Sequence, residues 1–288
     1  MSLLLKISLG LISLAIAAYL SACLWLYLRQ TRIIFLPSAT IETTPADYGN
    51  RFDDIWIPVG SAGEKLHGWW IPASGPETAV ILYLHGNGAN IGANAEQANR
   101  FRQIGLSVLL IDYRGYGRSA GSPNEQQVYE DAEASWQYLI QARQVQPQRL
   151  FLYGHSLGGA IAIHLALQHP DAAGLIVQAS FTSMRQMVDY EMPRSIFPID
   201  LLLTQKFDSI SRVSELKTPL LYIHGLNDLR VPALMSQQLY EASPDPKQLY
   251  LVPDAGHNNV AQVAGIEYLK CIQEFVQQNL DRAPITLP

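Results

Sequence analysis

The sequence has only two cysteines, Cys23 in an apolar N-terminal run and Cys271 near the other end, and they make poor disulfide partners. No disulfide framework is expected to support the fold, and the redox compartment stays open. Basic residues are scarce too: 20 Lys and Arg against 25 Asp and Glu give a net charge of -5, which excludes a nucleic-acid-binding surface. There is no HExxH motif and no clustered Cys/His set, so neither a metal nor another cofactor is expected. Internal repeats and low-complexity tracts are also absent. What remains is 288 residues, 48% of them hydrophobic, enough for one large domain with a buried core once a possible anchor is set aside.

Charge is missing altogether between Ile7 and Leu28, where ISLGLISLAIAAYLSACLWLYL holds no Asp, Glu, Lys or Arg. A helix of that length measures about 33 Å at about 1.5 Å per residue, against a hydrocarbon core of about 30 Å. Trp25 and Tyr27 stand beside Arg29 and Arg32, as interfacial aromatics and snorkelling arginines do. The expectation is a single-pass membrane helix contacting lipid, within an anchor and juxtamembrane segment over 1–36. A polar linker over 37–50 and a globular domain over 51–288 follow. A buried core helix is the alternative, but at the extreme N-terminus little protein would cover it. LSAC at Leu20–Cys23 also resembles a bacterial lipobox, in which Cys23 would become a lipidated first residue. Against cleavage, the apolar run continues to Leu28, beyond a usual signal core of about 7 to 15 residues. Lys6 on one side and Arg29 with Arg32 on the other leave the orientation open, with a slight lean towards a cytoplasmic domain.

After the linker, FDDIWIPV and KLHGWWIP, separated by the turn-forming GSAGE, predict an antiparallel pair at a sheet edge. Apolar strands then alternate with helical stretches: TAVILYLH, SVLLID, RLFLYG, GLIVQA, PLLYIHG and KQLYLVP, with helices at about 91–104, 126–141, 157–168, 232–242 and 259–279. Such alternation predicts an α/β fold whose mostly parallel sheet is covered by helices on both faces. The stretch from Phe181 to Leu216 is too long for a simple crossover and rich in Met, Ile, Leu and Phe. It reads as a small cap over the strand ends, or else as an ordinary helix with a loop attached.

Chemistry enters at RLFLYGHSLGGA, where Gly154 and Gly158 flank Ser156 between an apolar strand and a helix. This G-x-S-x-G pattern is a nucleophile elbow, a turn that lifts a serine hydroxyl above the end of a sheet; the alternative is a serine that merely caps the helix. A serine needs a base to become a nucleophile, and in this pattern an acid and then a histidine follow it along the chain. Asp228 in HGLNDLRVP and His257 in DAGHNN each follow a later strand and supply that order. Asp228 could instead be a turn residue, and Asp254 is a rival acid that shares the histidine's own loop. His67, His85, His155, His164, His169 and His224 are expected to be structural. Two backbone NH groups are expected to hold the oxyanion, that of Leu157 and that of Asn87 in HGNGAN, with Gly88 in reserve.

Taken as an ordered set, HGNGAN, DYRGYGRSAGSPNE, YGHSLGG, HGLNDLRVP and DAGHN resemble the α/β-hydrolase superfamily, and most of all its membrane-anchored Bem46-like serine hydrolases. The resemblance runs over roughly residues 29–280, including RQTRIIFLP. It implies the α/β-hydrolase fold, Ser156, Asp228 and His257 as a triad, and Asn87 with Leu157 as oxyanion donors. It further implies that Asp112, Arg114 and Gly115 belong to a loop buttressing the site. The expected activity is cleavage of a carboxylic ester or thioester through an acyl-enzyme, on a small-molecule or acylated, lipid-like substrate. Met184, Met187, Ile196, Phe197 and Leu201 to Leu203 are the expected acyl-pocket residues. A serine peptidase with the same triad and a non-catalytic membrane scaffold stay open as alternatives. The oligomeric state is not legible.

Overall fold

The computed structural model describes residues 2–60 and 63–281; the turn residues Ser61 and Ala62, Met1, and the end of the expected domain at 282–288 lie outside it. Eight strands form the main sheet: β1 (Asp53–Val59), β2 (Glu64–Ile71), β3 (Ala79–Leu84), β4 (Leu106–Ile111), β5 (Leu150–His155), β6 (Gly174–Gln178), β7 (Leu220–Gly225) and β8 (Lys247–Val252). Their spatial order is β8-β7-β6-β5-β3-β4-β2-β1, with every pair parallel except β1–β2 and β2–β4. The antiparallel pair therefore lies at the edge, and the remainder is the expected parallel sheet.

Alternation along the strands makes two hydrophobic layers. Val80, Leu82 and Leu84 of β3 join one buried cluster, and Ala79, Ile81 and Tyr83 join the other. Strands buried on both faces need helices on both sides, and the helices divide accordingly. Helices α3 (Glu125–Gln137) and α4 (Leu157–Gln168) cover the first face, while α2 (Ala95–Gln103) and the long C-terminal helix cover the second. Three helix boundaries differ from the pattern read in the sequence. Residues Ile91–Asn94 form a 3-10 turn before α2, and Tyr138–Ala142 continue α3 as a π turn. The stretch expected as one helix at 259–279 is broken at Gly265, whose φ of 57° and ψ of -128° suit glycine and interrupt a helix.

Between β6 and β7 the chain rises into the cap, which carries α5 (Met184–Glu191) and α6 (Ile199–Leu202). Helix α7 (Ala233–Ala242) follows β7, and α8 (Val260–Ala264) and α9 (Ile266–Leu280) follow β8. At the other end of the chain, α1 (Leu3–Ile34) is long and apolar enough to cross a membrane and buries only Cys23, Gln30 and Ile34. The segment after it lies along the domain rather than hanging free. Leu36–Pro37 pair in parallel with Gly88–Ala89, and the Asn90 side-chain amide donates to the Ser38 and Thr40 carbonyls at 3.0 and 2.7 Å.

The elbow between β5 and α4 shows why its glycines are required. A Cβ on Gly154 would stand 2.2 Å from the Gly158 carbonyl oxygen, and one on Gly158 would stand 2.0 Å from the Leu84 carbonyl oxygen. Both neighbours are backbone and cannot rotate away. Gly158→Ala should therefore destabilise the folded chain by about 3 kcal/mol or more. Thermal unfolding in detergent would show this as a markedly lowered Tm or as loss of folded protein, and an unchanged Tm would contradict the packing described.

Candidate active site

Four loops meet beyond the carboxyl ends of β3, β5, β7 and β8. Strand β3 has β4 on one side and β5 on the other, so the winding direction reverses there, which is where an open α/β sheet leaves a crevice for ligands. Ser156 stands in the crevice with φ 54° and ψ -117°, a left-handed conformation that a non-glycine residue adopts at a cost of about 1–3 kcal/mol. Its backbone is pinned to the end of β6. The Ser156 NH donates to the Gln178 carbonyl and the Ser180 hydroxyl donates to the Ser156 carbonyl, both at 2.9 Å.

His257 Nε2 lies 3.1 Å from Ser156 Oγ, and His257 Nδ1 lies 2.7 Å from Asp228 Oδ2. A carboxylate beside Nδ1 places the ring hydrogen there and leaves Nε2 as an acceptor facing the serine. Asp228 is itself fully engaged. Its Oδ1 accepts from the Arg230 and Val231 amides, each at 2.9 Å, and its Oδ2 also lies 3.1 Å from His224 Nε2. Burial acts to raise the Asp228 carboxyl, but hydrogen bonds from His224, His257 and the Val231 amide outweigh it. The group stays well below the usual carboxylate range and is charged at neutral pH.

His224 was legible only as a strand-end residue, yet it touches the acid directly. Its Nε2 faces two acceptors, Asp228 Oδ2 and the Val231 carbonyl at 2.9 Å, and so carries the hydrogen, while Nδ1 lies 2.6 Å from Ser236 Oγ. His155 supports the other partner, its Nε2 standing 3.2 Å from the His257 carbonyl. Burial first, and the neighbouring His257 second, push His155 down to about 4, so the ring stays neutral and its NH can donate to that carbonyl. Asp254 is exposed in a turn with φ 61°.

The Leu157 amide opens α4 and is among the four that a helix leaves without an internal acceptor. Leu157 lines the same cavity as Asn87, Ser156 and His257. The Asn87 loop is held from three sides: the Asn87 carbonyl accepts from the Leu36 amide at 2.9 Å and from the Tyr116 hydroxyl at 2.7 Å, and its side chain donates to the Ile34 carbonyl at 2.9 Å. In the DYRGYG loop, Tyr113 donates to the His85 carbonyl at 2.9 Å and Asp112 accepts from the Ile91 amide at 2.9 Å. Arg114 points the other way, onto Asp131 and Glu130. The two tyrosines, whose roles were not read in the sequence, thus join Asp112 in bracing the Asn87 loop.

The cavity over the serine has a volume of about 470 Å³ and mostly apolar walls. Met184 and Met187 line it as expected, and so do Leu202 and Leu203. Ile196 and Phe197 do not, which corrects the pocket read from the sequence. Phe197 instead stacks on Tyr19 of α1 with ring centroids 5.8 Å apart, and the Ile196 carbonyl accepts from the Tyr19 hydroxyl at 2.9 Å. Leu201 also lies outside, 81% exposed. Their places are taken by Val188 and Met192 of the cap and by Leu26, Ile33 and Ile34 at the end of α1. No sequence signal assigns α1 to the site, because apolar residues at a membrane anchor and at a pocket wall read alike.

A wider, open groove of about 830 Å³ lies elsewhere, against α3 and the end of α4. His164 and His169 line it, but they serve packing. His164 stacks on Tyr129 with its Nδ1 2.9 Å from Arg212, and burial with the Arg212 charge pushes it down to about 4. His169 stacks on Trp136 and bonds Glu133 at 2.6 Å. Among the described residues no group of His, Cys, Asp and Glu is placed to hold a metal ion.

Comparison with known proteins agrees with the fold. The family model described as serine aminopeptidase, S33, matches residues 75–211. An uncharacterized protein of Mycobacterium tuberculosis is 34% identical over 256 residues, covering 88% of this chain and 90% of that one. The bem46 protein of Schizosaccharomyces pombe is 28% identical over 280 residues, covering 94% and 92%. Among solved structures, an esterase of Pyrococcus furiosus shares the fold with a TM-score of 0.71 at 21% identity, over 86% of this chain and 98% of that one. With the elbow, the strand order and these relatives in hand, the chain belongs to the α/β-hydrolase superfamily, among its Bem46-like members.

Proposed function

We propose that this hydrolase is a membrane-anchored serine esterase or thioesterase acting on acylated, lipid-like substrates. The observation that carries the reading is the continuous relay from Asp228 through His257 to Ser156 inside an apolar cavity. Ser156 Oγ attacks the substrate carbonyl carbon while His257 Nε2 takes its proton. The carbonyl oxygen becomes an oxyanion facing the Leu157 and Asn87 amides, which develop their strongest interaction as charge builds. Collapse expels the alcohol or thiol, which receives the proton from His257. Water, deprotonated by the same nitrogen, then attacks the acyl-enzyme and releases the acid, restoring Ser156. Asp228 keeps the imidazole in the correct tautomer and stabilises its charged form.

A mostly apolar cavity of this size suits an acyl chain, with Ser156, His257 and Asn87 at the reacting end and Gln30, Glu191 and Arg230 as the other polar residues of its wall. The anchor concentrates such substrates near the site, with α1 crossing the bilayer once. A peptidase reading has support from the description of the matched family model, which names a serine aminopeptidase. That chemistry needs a carboxylate for the substrate ammonium, and among the described residues Glu191 alone supplies an acidic side chain to the cavity wall.

The test is an acyl-chain series of esters, thioesters and aminoacyl amides given to the full-length protein. Turnover should rise with chain length and be negligible for the amides. Met187→Trp should lower kcat/KM for long chains by about tenfold or more while sparing short esters, since it fills the pocket rather than the reacting centre. A flat chain-length profile in both proteins would remove the acyl-pocket assignment, and faster amide than ester cleavage would favour the peptidase.

A further inference from the structure

The cap and the anchor helix touch at a level that α1 alone would place inside the bilayer. A span needs about 20 residues of helix, about 30 Å. Counting from just after Lys6, such a span runs over residues 7–26, where no residue is charged. Tyr19 then lies seven residues inside its domain-side end, about 10 Å deep at about 1.5 Å per residue. Yet Tyr19 is where the cap docks: its ring stacks on Phe197 and its hydroxyl donates to the Ile196 carbonyl. If the bilayer began only beyond Tyr19, the helix left to span it, Leu3–Ala18, would measure about 24 Å and include Lys6, which falls short of the hydrocarbon core.

Resting on the membrane-anchored reading above, we propose that the tip of the cap, residues 190–201, is immersed in the leaflet nearest the domain, so that the pocket mouth opens to lipid and acyl chains enter sideways. The tip is composed for that setting. Ile196 is 76% exposed and Leu201 81%, with Tyr190 and Met192 exposed beside them. No part of the described chain covers these side chains, and an apolar face of this kind sinks about 5–10 Å into the headgroup and acyl boundary. The nearby charges are managed. Arg185 pairs with both Asp189 and Asp200, Arg194 is exposed and long enough to extend towards water, and Glu191 is exposed while also lining the cavity.

The cavity wall reaches this side of the molecule: Leu26, at the domain-side end of the span, and Ile33, two turns further on, line the cavity together with Met192 of the cap tip. Gln30 locks the two walls in register. Its side-chain amide donates to the Leu202 carbonyl at 3.0 Å, and its carbonyl accepts from the Thr204 amide at 2.8 Å. In the immersed arrangement lipid tails would meet the cavity wall at Leu26, Ile33 and Met192, with Gln30 and Glu191 the polar residues between them and Ser156.

Depth can be measured without any turnover. Full-length protein with Cys23→Ala and Cys271→Ala would carry a nitroxide at Ile196→Cys or Leu201→Cys in phosphatidylcholine nanodiscs. Leu14→Cys would serve as the lipid reference and Gln141→Cys as the water reference. Power saturation by oxygen and by a nickel chelate should place positions 196 and 201 with position 14, oxygen-accessible and shielded from the chelate. Chelate accessibility equal to that of position 141 would overturn the proposal. So would shielding from both reagents with spin broadening that grows with protein density, the signature of a second copy covering the tip. In the functional arm, Ile196→Asp with Leu201→Asp should lower turnover of a vesicle-borne long-chain ester at least tenfold and leave a soluble short ester unchanged; equal rates on the vesicle-borne ester would contradict lateral entry. If no ester is cleaved at all while the labels read as lipid-facing, the hydrolase reading fails and the immersed cap stands.

Discussion

Asp228→Asn is expected to lower kcat by about 10⁴-fold while leaving the fold intact. The two backbone amides of Arg230 and Val231 both need an acceptor at the Oδ1 position, so the asparagine carbonyl is drawn there. Its NH₂ group must then face His257 Nδ1, which can only accept from it. The ring hydrogen moves to Nε2, and the nitrogen that should take the Ser156 proton already carries one. Asp254→Asn is the matched control. Asp254 is exposed, and its φ of 61° is one that asparagine tolerates, so activity should stay within about twofold. Steady-state kinetics on one ester decides the matter, and the reverse ranking would exchange the two roles.

A still larger loss is expected from Ser156→Ala, about 10⁶-fold in kcat by analogy with other serine nucleophiles. Only the oxygen that attacks is removed. The Ser156 backbone bonds to Gln178 and Ser180 involve NH and carbonyl groups, which alanine keeps. His257→Ala should fall to a similar level, and the double variant no further, because nucleophile and base act in one step. Multiplying losses in the double variant would mean that the two side chains act independently, which a 3.1 Å contact does not support.

Much of this arrangement was legible from local pattern. Ser156, Asp228 and His257 each follow an apolar strand, so strand ends alone bring them to one edge of the sheet. The glycines of the elbow were readable because backbone meets backbone there. What escaped was which side chains touch. His224 and Asp228 are close in sequence, but nothing in HGLND says that the ring turns back onto the carboxylate. Tyr113 and Tyr116 lie in the DYRGYG loop with no role read for them, yet their hydroxyls reach across to the His85 and Asn87 carbonyls. Ile196 and Phe197 read as pocket residues because apolar side chains in a cap have two apolar surfaces to choose between, the cavity and α1. The α1 wall was hidden for the same reason: hydrophobicity gives burial, not partner.

The end of α1 also bears on the reacting centre. Ile34 and Leu36 both bond to Asn87, so the end of α1, the Asn87 loop and the cap form one connected wall around Ser156. Removing the N-terminus would therefore alter the cavity around Ser156.

The most direct measurement is labelling of full-length wild-type protein with a fluorophosphonate probe, beside Ser156→Ala and His257→Ala. An activated serine predicts rapid, stoichiometric labelling of the wild type at Ser156 and none in either variant. A folded wild-type protein that stays unlabelled, or one that labels as fast without His257, would contradict the relay on which the proposed chemistry depends.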